Sequence, residues 1–425
     1  MKILLSAFAC LPGAGSEPGV GWGVVRQAGL RHDVSVLTDE HNRPFIEARL
    51  REEPMPAVEF RFLRPPGPLG SSWLRRSVTH LYYAAWQVTA FLEARRWNSE
   101  VRFDIVQHVT FVNSWMPSFM GWLGVPFIWS AGIRQTTPWL FLRHMSWRAR
   151  AAEAVRNFAV NWLGCIATAV TGSRARLILS GSDRSVWRKG LPVVTFPLGG
   201  LEPEEIARLL RIPHRRAGVF RVVSIGQLKG LKGISLGILA FTRLHREFPA
   251  SEYRIIGDGP ELGFLKQLAE EHQCATAIQF AGARTRPQVF EELAAADVLL
   301  HPSLHEQFGY APLEAMMAGR PVICLRAAGT RHVVSDRGGI LLDPDTPDQA
   351  VQRIHEALKA MIMDPEGRRR RGEAARQWAA NRWCWRETGG RLNQLYESAA
   401  KRSAGIGSGG EGGITLRSAE GIPAR

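Results

Sequence analysis

Two glutamates, Glu306 and Glu314, stand with seven residues between them in the run HEQFGYAPLEAMMAGRPV, with Phe308-Gly309 directly after the first pair member's neighbour and a helix expected to start near Pro312. Each part has its own physical use. Gly309 lets backbone approach a ligand closely. The first turn of a helix just beyond it offers free amide N–H groups and a positive dipole end, which suits a phosphate or a polar sugar. A carboxylate beside such a turn accepts hydrogen bonds from hydroxyls. Upstream, SIGQLKGLKG at 224–233 reads as a strand running into a glycine-rich turn, whose amides would again face an anion.

Alternating elements are needed to bring these stretches together. In the C-terminal half the pattern reads FRVVSIG as a strand, a helix at 234–248, SEYRIIGDG, a helix at 261–272, AIQFAG, a helix at 288–296, DVLLHP, a helix at 312–318, RPVICL, GGILL and a helix at 348–363. The N-terminal half starts with KILLSAFA, the glycine-rich turn PGAGSEPGVGWG, a helix over VVRQAGLRH and a strand at DVSVLT. VEFRFL, FDIVQHV, PFIWS and CIATAVTGS are further strand candidates, with helices expected at 78–97 and 147–161. Alternation of this kind implies parallel sheets covered on both faces.

A chain of 425 residues exceeds the size at which one core stops growing, so two domains are expected. The pattern loosens over 191–218, which places a first domain at 1–198 and a second at 199–375. Residues 376–400 would form a helix crossing back to the first domain. Residues 401–425, rich in glycine and poor in large apolar side chains, are expected to be disordered.

Five cysteines with no C-x-x-C pair argue against both a disulfide framework and a zinc site, and fit a reducing cytoplasm. The opening MKILLSAFACLP has a short apolar run that leads straight into the glycine-rich turn, as a first buried strand does. No window is long and apolar enough for a transmembrane span. Net charge is +15, and residues 1–200 hold 23 Lys/Arg against 13 Asp/Glu, so most of the excess lies in the first half. The stretch 134–189 has ten Lys/Arg and two Asp/Glu with tryptophans among them, which suits contact with anionic lipid headgroups on the inner face of a membrane. No nucleic-acid-binding pattern accompanies the charge, so nucleic acid is not an expected partner. Nor does the glycine-rich turn carry the G-x-x-x-x-G-K-[ST] pattern of an ATPase.

The Glu-x7-Glu run, preceded in order by SIGQLKGLKG, IIGDGP at 255–260 and AADVLLHPS at 295–303, resembles the family-four retaining glycosyltransferases of GT-B fold, the glycosyl transferases group 1. That resemblance implies two Rossmann-like parallel-sheet domains facing a cleft, with the C-terminal helices crossing back. It implies that Glu314 binds the donor ribose, that Glu306 lies against the donor sugar, and that backbone near Phe308, Gly309 and Tyr310 assists. Lys232 corresponds to the lysine that neutralises the donor diphosphate, beside Gly226 and Gln227, with Gly257 in the second signature. Gly21, in the N-terminal glycine-rich turn, would touch the donor phosphate or the acceptor through backbone. FDIVQHVTF resembles the strand whose terminal histidine, here His108, points to the acceptor.

Two departures stand out. Gln227 replaces an arginine expected on the diphosphate, for which Lys229 is the substitute at hand. His332 in AAGTRHVVSDRGG stands where the family has an acid, and is read as a helix-surface histidine. The implied function is metal-independent, retaining transfer from a UDP- or GDP-sugar to a hydroxyl of a glycan or lipid-linked acceptor, in polysaccharide or glycolipid biosynthesis, with the nucleotide-sugar as substrate and no cofactor. A catalytically inactive GT-B subunit and a nucleotide-sugar epimerase of GT-B architecture are the alternatives. Asp343-Pro344-Asp345 has the look of a metal triad but lies in a loop after GGILL, and no metal site is expected.

Overall fold

The computed structural model describes residues 1–213 and 218–404. Two parallel sheets make up the molecule. The first comprises β1 (Lys2–Ser6), β2 (Asp33–Asp39), β3 (Val58–Leu63), β4 (Ile105–His108), β5 (Phe127–Ser130), β6 (Leu177–Ser180) and β7 (Val193–Thr195), in the order β3-β2-β1-β4-β5-β6-β7. The second comprises β8 (Phe220–Ile225), β9 (Ser251–Ile256), β10 (Ile278–Gly282), β11 (Val298–His301), β12 (Val322–Leu325) and β13 (Gly339–Leu342), in the order β10-β9-β8-β11-β12-β13. Strands buried on both faces need apolar residues throughout, and IVQH, FIWS, VLLH and VICL are buried at every position.

Each sheet carries a core on both faces. Trp86, Trp97, Trp129, Tyr82 and Tyr83 fill one side of the first sheet, and Trp22, Trp385, Leu392 and Tyr396 the other. The last helix, Trp385–Ala404, therefore belongs to the first sheet's core although it follows the second in sequence. Thr388 Oγ1 donates to the Gly199 carbonyl (2.8 Å), and Tyr396 OH bonds the Gln107 side chain of β4. This is the crossing helix expected of the fold.

In both sheets the strand order reverses direction beside the first strand of the unit, between β1 and β4 and between β8 and β11. Ligands of doubly wound sheets bind at the carboxyl ends of the strands flanking such a switch point. The loops leaving β1, β4, β8 and β11 are therefore the ones to inspect.

The second sheet follows the sequence expectations closely, whereas the first departs at two places. CIATAVTGS does not form a strand: Gly164–Val170 is helical and extends a rod begun by helix Trp147–Phe158 and a π-helical turn at Ala159–Leu163. The strand in that region is β6, twelve residues further on. Helix Ser16–Gly29 also starts eight residues before the expected VVRQAGLRH, which draws Gly19, Gly21 and Gly23 out of the turn and into the helix. Residues 401–404 close the last helix; the remainder of the expected disordered tail, like 214–217 of the expected hinge, lies outside the described residues.

Candidate active site

The loop after β8 turns sharply at Gly226 and again at Gly233, where φ is +62° and a Cβ would come within 2.1 Å of the Pro302 carbonyl oxygen. Only glycine fits both the left-handed backbone and that close approach. The short turn Gly230–Lys232 is thereby pinned against the loop after β11, and Lys232 Nζ donates to Glu306 Oε2 at 2.6 Å. His301, the last residue of β11, contacts the same oxygen through Nε2 at 3.0 Å. Burial alone would raise the Glu306 carboxyl, but Lys232 and His301 outweigh it and hold it well below the usual carboxylate range. Burial, helped by the Arg156 and Lys232 charges, pushes neighbouring His305 down to about 3, so it is neutral near pH 7.

Gly309, with φ of +100°, caps helix Tyr310–Met317, on which Glu314 is buried. Glu314 Oε1 receives Arg286 Nη1 at 2.8 Å, while Arg286 Nη2 reaches Glu205 Oε1 at 2.7 Å. Burial raises the Glu314 carboxyl and Arg286 opposes that rise. Arg286 opens helix Arg286–Ala295 and Glu205 lies on helix Pro203–Leu210, so three separate elements meet at this carboxylate. Gly329 N–H donates to the Glu306 carbonyl (2.8 Å), tying the AAGT loop to the same turn.

Across the cleft, the first domain presents the start of helix Ser16–Gly29. Ser16 has φ of +61°, a strained value for a non-glycine residue of the kind that gathers at functional sites. Glu17 accepts the Val112 N–H at 2.8 Å, and burial raises its carboxyl. A cavity of about 190 Å³ is lined from one side by Ser16, Glu17, Val109 and Gly132, and from the other by Glu306, Phe308, Gly309 and Tyr310. Gln307 Nε2 bridges the cleft to the Val112 carbonyl (3.2 Å).

The expected site residues thus separate into groups. Lys232, Glu306, Gly309 and Tyr310 converge, and Glu314 lies one helical turn beyond. Phe308 lines the cavity but packs its ring against Tyr310 and Trp383. Gly226 and Gly257 serve a backbone crossing, since a Cβ on Gly257 would fall 1.9 Å from the Gly226 oxygen. Gln227 and Lys229 are exposed at the loop edge.

Gly21 is not in a loop: it is buried in the second turn of its helix, against the Ala9 carbonyl, and the helix residues that reach the cavity are Ser16, Glu17 and Val20. His108 is buried behind the cavity, with Nδ1 3.0 Å from Ser118 Oγ and Nε2 3.4 Å from Tyr83 OH, and burial lowers it to about 4. His332 is half-buried on helix Thr330–Val333. Asp343 pairs with Arg326 (2.6 Å) in an exposed loop. Glu17, Arg286, Glu205 and His301 escaped the sequence reading, because each gains its place only through contacts made in the folded chain.

Residues 205–378 match the family glycosyl transferases group 1. The chain is 27% identical over 265 residues to a glycogen synthase of Mycobacterium tuberculosis, covering 61% of each, and 32% identical over 182 residues to a D-inositol 3-phosphate glycosyltransferase of Corynebacterium urealyticum, covering 41% of this chain and 42% of that one. The matched region thus spans about six-tenths or less of these relatives. Among solved structures, HepE of Anabaena in complex with UDP and glucose superposes with a TM-score of 0.60 at 18% identity, covering 94% of this chain and all of that one. WaaG, a glycosyltransferase involved in lipopolysaccharide biosynthesis, gives 0.58 at 19%, covering 95% and 100%. At these identities the structural likeness speaks for the fold. Residues 205–378 thus match the glycosyl transferases group 1 within the second domain, and the two Rossmann-like sheets facing a cleft give the chain the GT-B fold.

Proposed function

We propose that this protein is a retaining glycosyltransferase that moves a sugar from a nucleotide-diphosphate sugar to a hydroxyl of a glycan or lipid-linked acceptor. The observation that carries the reading is that Glu306, paired with Lys232, and the start of helix Ser16–Gly29 line one interdomain cavity, with Glu314 one turn further along. A helix N-terminus on one wall and a lysine paired with a carboxylate of the other wall suit a diphosphate, whose charge grows as it leaves. That HepE binds UDP and glucose in the same fold agrees with a nucleotide-sugar donor.

In this reading the acceptor hydroxyl attacks the anomeric carbon on the face from which the diphosphate departs. The C–O bond to the diphosphate breaks as the new glycosidic bond forms, and the departing diphosphate oxygen takes the hydroxyl proton. Lys232 and the helix N-terminus hold the developing charge, so a resident cofactor or metal is not called for. Glu306 orients the donor sugar and Glu314 holds the ribose hydroxyls. Neither is assigned as a covalent nucleophile, because two acids flanking the scissile bond would be needed for the hydrolase arrangement.

Calorimetric binding of a panel of UDP-, GDP- and ADP-sugars tests this, comparing native protein with Glu314→Ala and Lys232→Ala. One donor bound by the native protein and weakened by both changes supports the reading and names the sugar class. A folded native protein that binds no donor refutes it and favours a catalytically inactive subunit.

A further inference from the structure

The helical rod 147–170 carries an apolar stripe on its outer, solvent-facing side. Trp147, Val155, Phe158, Trp162 and Ile166 are 73%, 69%, 60%, 68% and 59% exposed. From Val155 onward they recur at steps of three or four, and exposed Ala151 fills the gap before it, so all lie on one face. Phe158 and Trp162 stack on each other at 6.2 Å. The opposite face is the buried one: Glu153, Ala159, Val160, Gly164 and Ala167 point inward. A helix normally buries its apolar stripe, and here a second one is left to solvent. Trp139, 66% exposed on the preceding short helix, adds to it.

The charge around this stripe has one sign. Between Arg134 and Ser182 the chain has seven arginines and one acid, Glu153, which is buried and paired with Arg156 at 2.8 Å. Arg143, Arg148, Arg150 and Arg174 are exposed. Tryptophan and phenylalanine on one face with arginines at its margins is the composition of a helix lying in a lipid headgroup region. A second copy of this chain fits poorly, since a two-fold contact would press these arginines against their own copies.

The inner side of the same segment adjoins the donor loop. Met145 and Ala149 sit so close to Gly230 that a Cβ there would lie 2.7 and 2.9 Å from them. Ser146 N–H donates to Glu261 Oε2 at 3.1 Å, and Ser235 Oγ to the His144 carbonyl at 2.7 Å. A surface bound to the outer stripe is therefore separated from the Lys232 turn by about one helix diameter, roughly 10 Å.

We propose that the outer face of rod 147–170 docks on an anionic lipid bilayer, with Trp147, Phe158 and Trp162 entering the headgroup region and Arg143, Arg148 and Arg150 meeting lipid charge. The placement would present a membrane-borne acceptor hydroxyl to the cleft, but docking itself does not depend on the donor reading.

The test is co-sedimentation of the full chain with vesicles of phosphatidylcholine alone and with phosphatidylglycerol added, alongside tryptophan fluorescence. Native protein should bind the anionic vesicles with a blue shift, and added salt should weaken binding. The variant Trp147→Ser/Phe158→Ser/Trp162→Ser should lose about tenfold or more of its partitioning while melting as the native protein does. Equal binding by native and variant protein would overturn the proposal, as would native protein that ignores anionic vesicles. Sedimentation velocity showing a dimer that the triple variant dissolves would give the face to a second copy and overturn it too. Donor calorimetry on the same samples reports separately on the catalytic reading.

Discussion

Lys232 Nζ lies 2.6 Å from Glu306 Oε2, so the cation best placed for a diphosphate is held by a carboxylate of the same site. A third group, His301, reaches the same oxygen at 3.0 Å, so the carboxylate keeps a partner when the lysine moves. On the proposed function, a donor entering the cavity would exchange one anionic partner of Lys232 for another. Such an exchange would keep the ammonium paired and leave Glu306 with its His301 contact.

From this exchange, Lys232 and Glu306 should respond in different ways to substitution. Lys232→Ala removes a charge-assisted contact and should weaken nucleoside-diphosphate binding about 10- to 100-fold. Glu306→Gln frees the ammonium, so nucleotide affinity should hold or improve while kcat falls about 100-fold or more. Calorimetry with UDP and GDP, run beside steady-state turnover, separates the two. Parallel losses of nucleotide affinity in both variants would remove Glu306 from the donor-sugar role.

Arg286 sits between Glu314 and Glu205, and it is the main influence holding the buried Glu314 carboxyl down. In Arg286→Ala, burial and Glu205 act unopposed and Glu314 protonates at higher pH. Its protonated form accepts ribose hydroxyl bonds less well. Donor affinity in the variant should therefore fall, as solution is acidified, at a higher pH than in the native protein. Superimposable pH profiles of donor binding would show that Arg286 does not set the state of Glu314.

Acid should destabilise the fold through His108 and His305, which burial lowers to about 4 and about 3. The unfolded chain protonates both near pH 6.5, while the native state does not. Between pH 6.5 and about 4 the unfolded state thus binds more protons, and stability falls as pH falls. His108, lowered by burial to about 4, accounts for as much as ~3 kcal/mol of this. Urea unfolding of the native protein and of His108→Gln at pH 7 and pH 5 should show a smaller loss in the variant. An equal loss in both would assign the acid sensitivity elsewhere.

How far the sequence reading reached depended on where each signal is carried. In the second domain most strands hold an apolar run between glycine, proline or charged residues, so FRVVSI, VLLH and VICL stand out and their helices follow. The run Cys165–Ser173 misled because β-branched residues also suit an exposed helix face, and Ile166 is exposed. The true strand there, LILS, is four residues long and has no periodicity to detect. Lys232, Glu306 and Glu314 were legible as local motifs. Arg286 was not, because it matters through Glu205 and Glu314, which come together only in the folded chain.

Helix Trp385–Ala404 offers a stability test with an internal control. Gly23, on helix Ser16–Gly29, has its α-carbon directly over the Trp385 ring, and a Cβ there would stand 2.1 Å from Trp385 Cε2. The ring is buried and its neighbours Leu392 and Tyr396 belong to the same core, so it cannot give way cheaply. Gly23→Ala should cost about 1–3 kcal/mol by overpacking and loosen the crossing helix. Gly390, on that helix, has no atom of the described residues within 4 Å of its Cβ position. Gly390→Ala should instead add about 0.5–1 kcal/mol, since alanine is the better helix former. Hydrogen exchange over residues 385–400, measured beside chemical unfolding, reads the local effect: faster exchange in Gly23→Ala with slower exchange in Gly390→Ala is the expected pair. Equal behaviour of the two variants would mean that contact between Gly23 and Trp385 does not anchor the helix to the first domain.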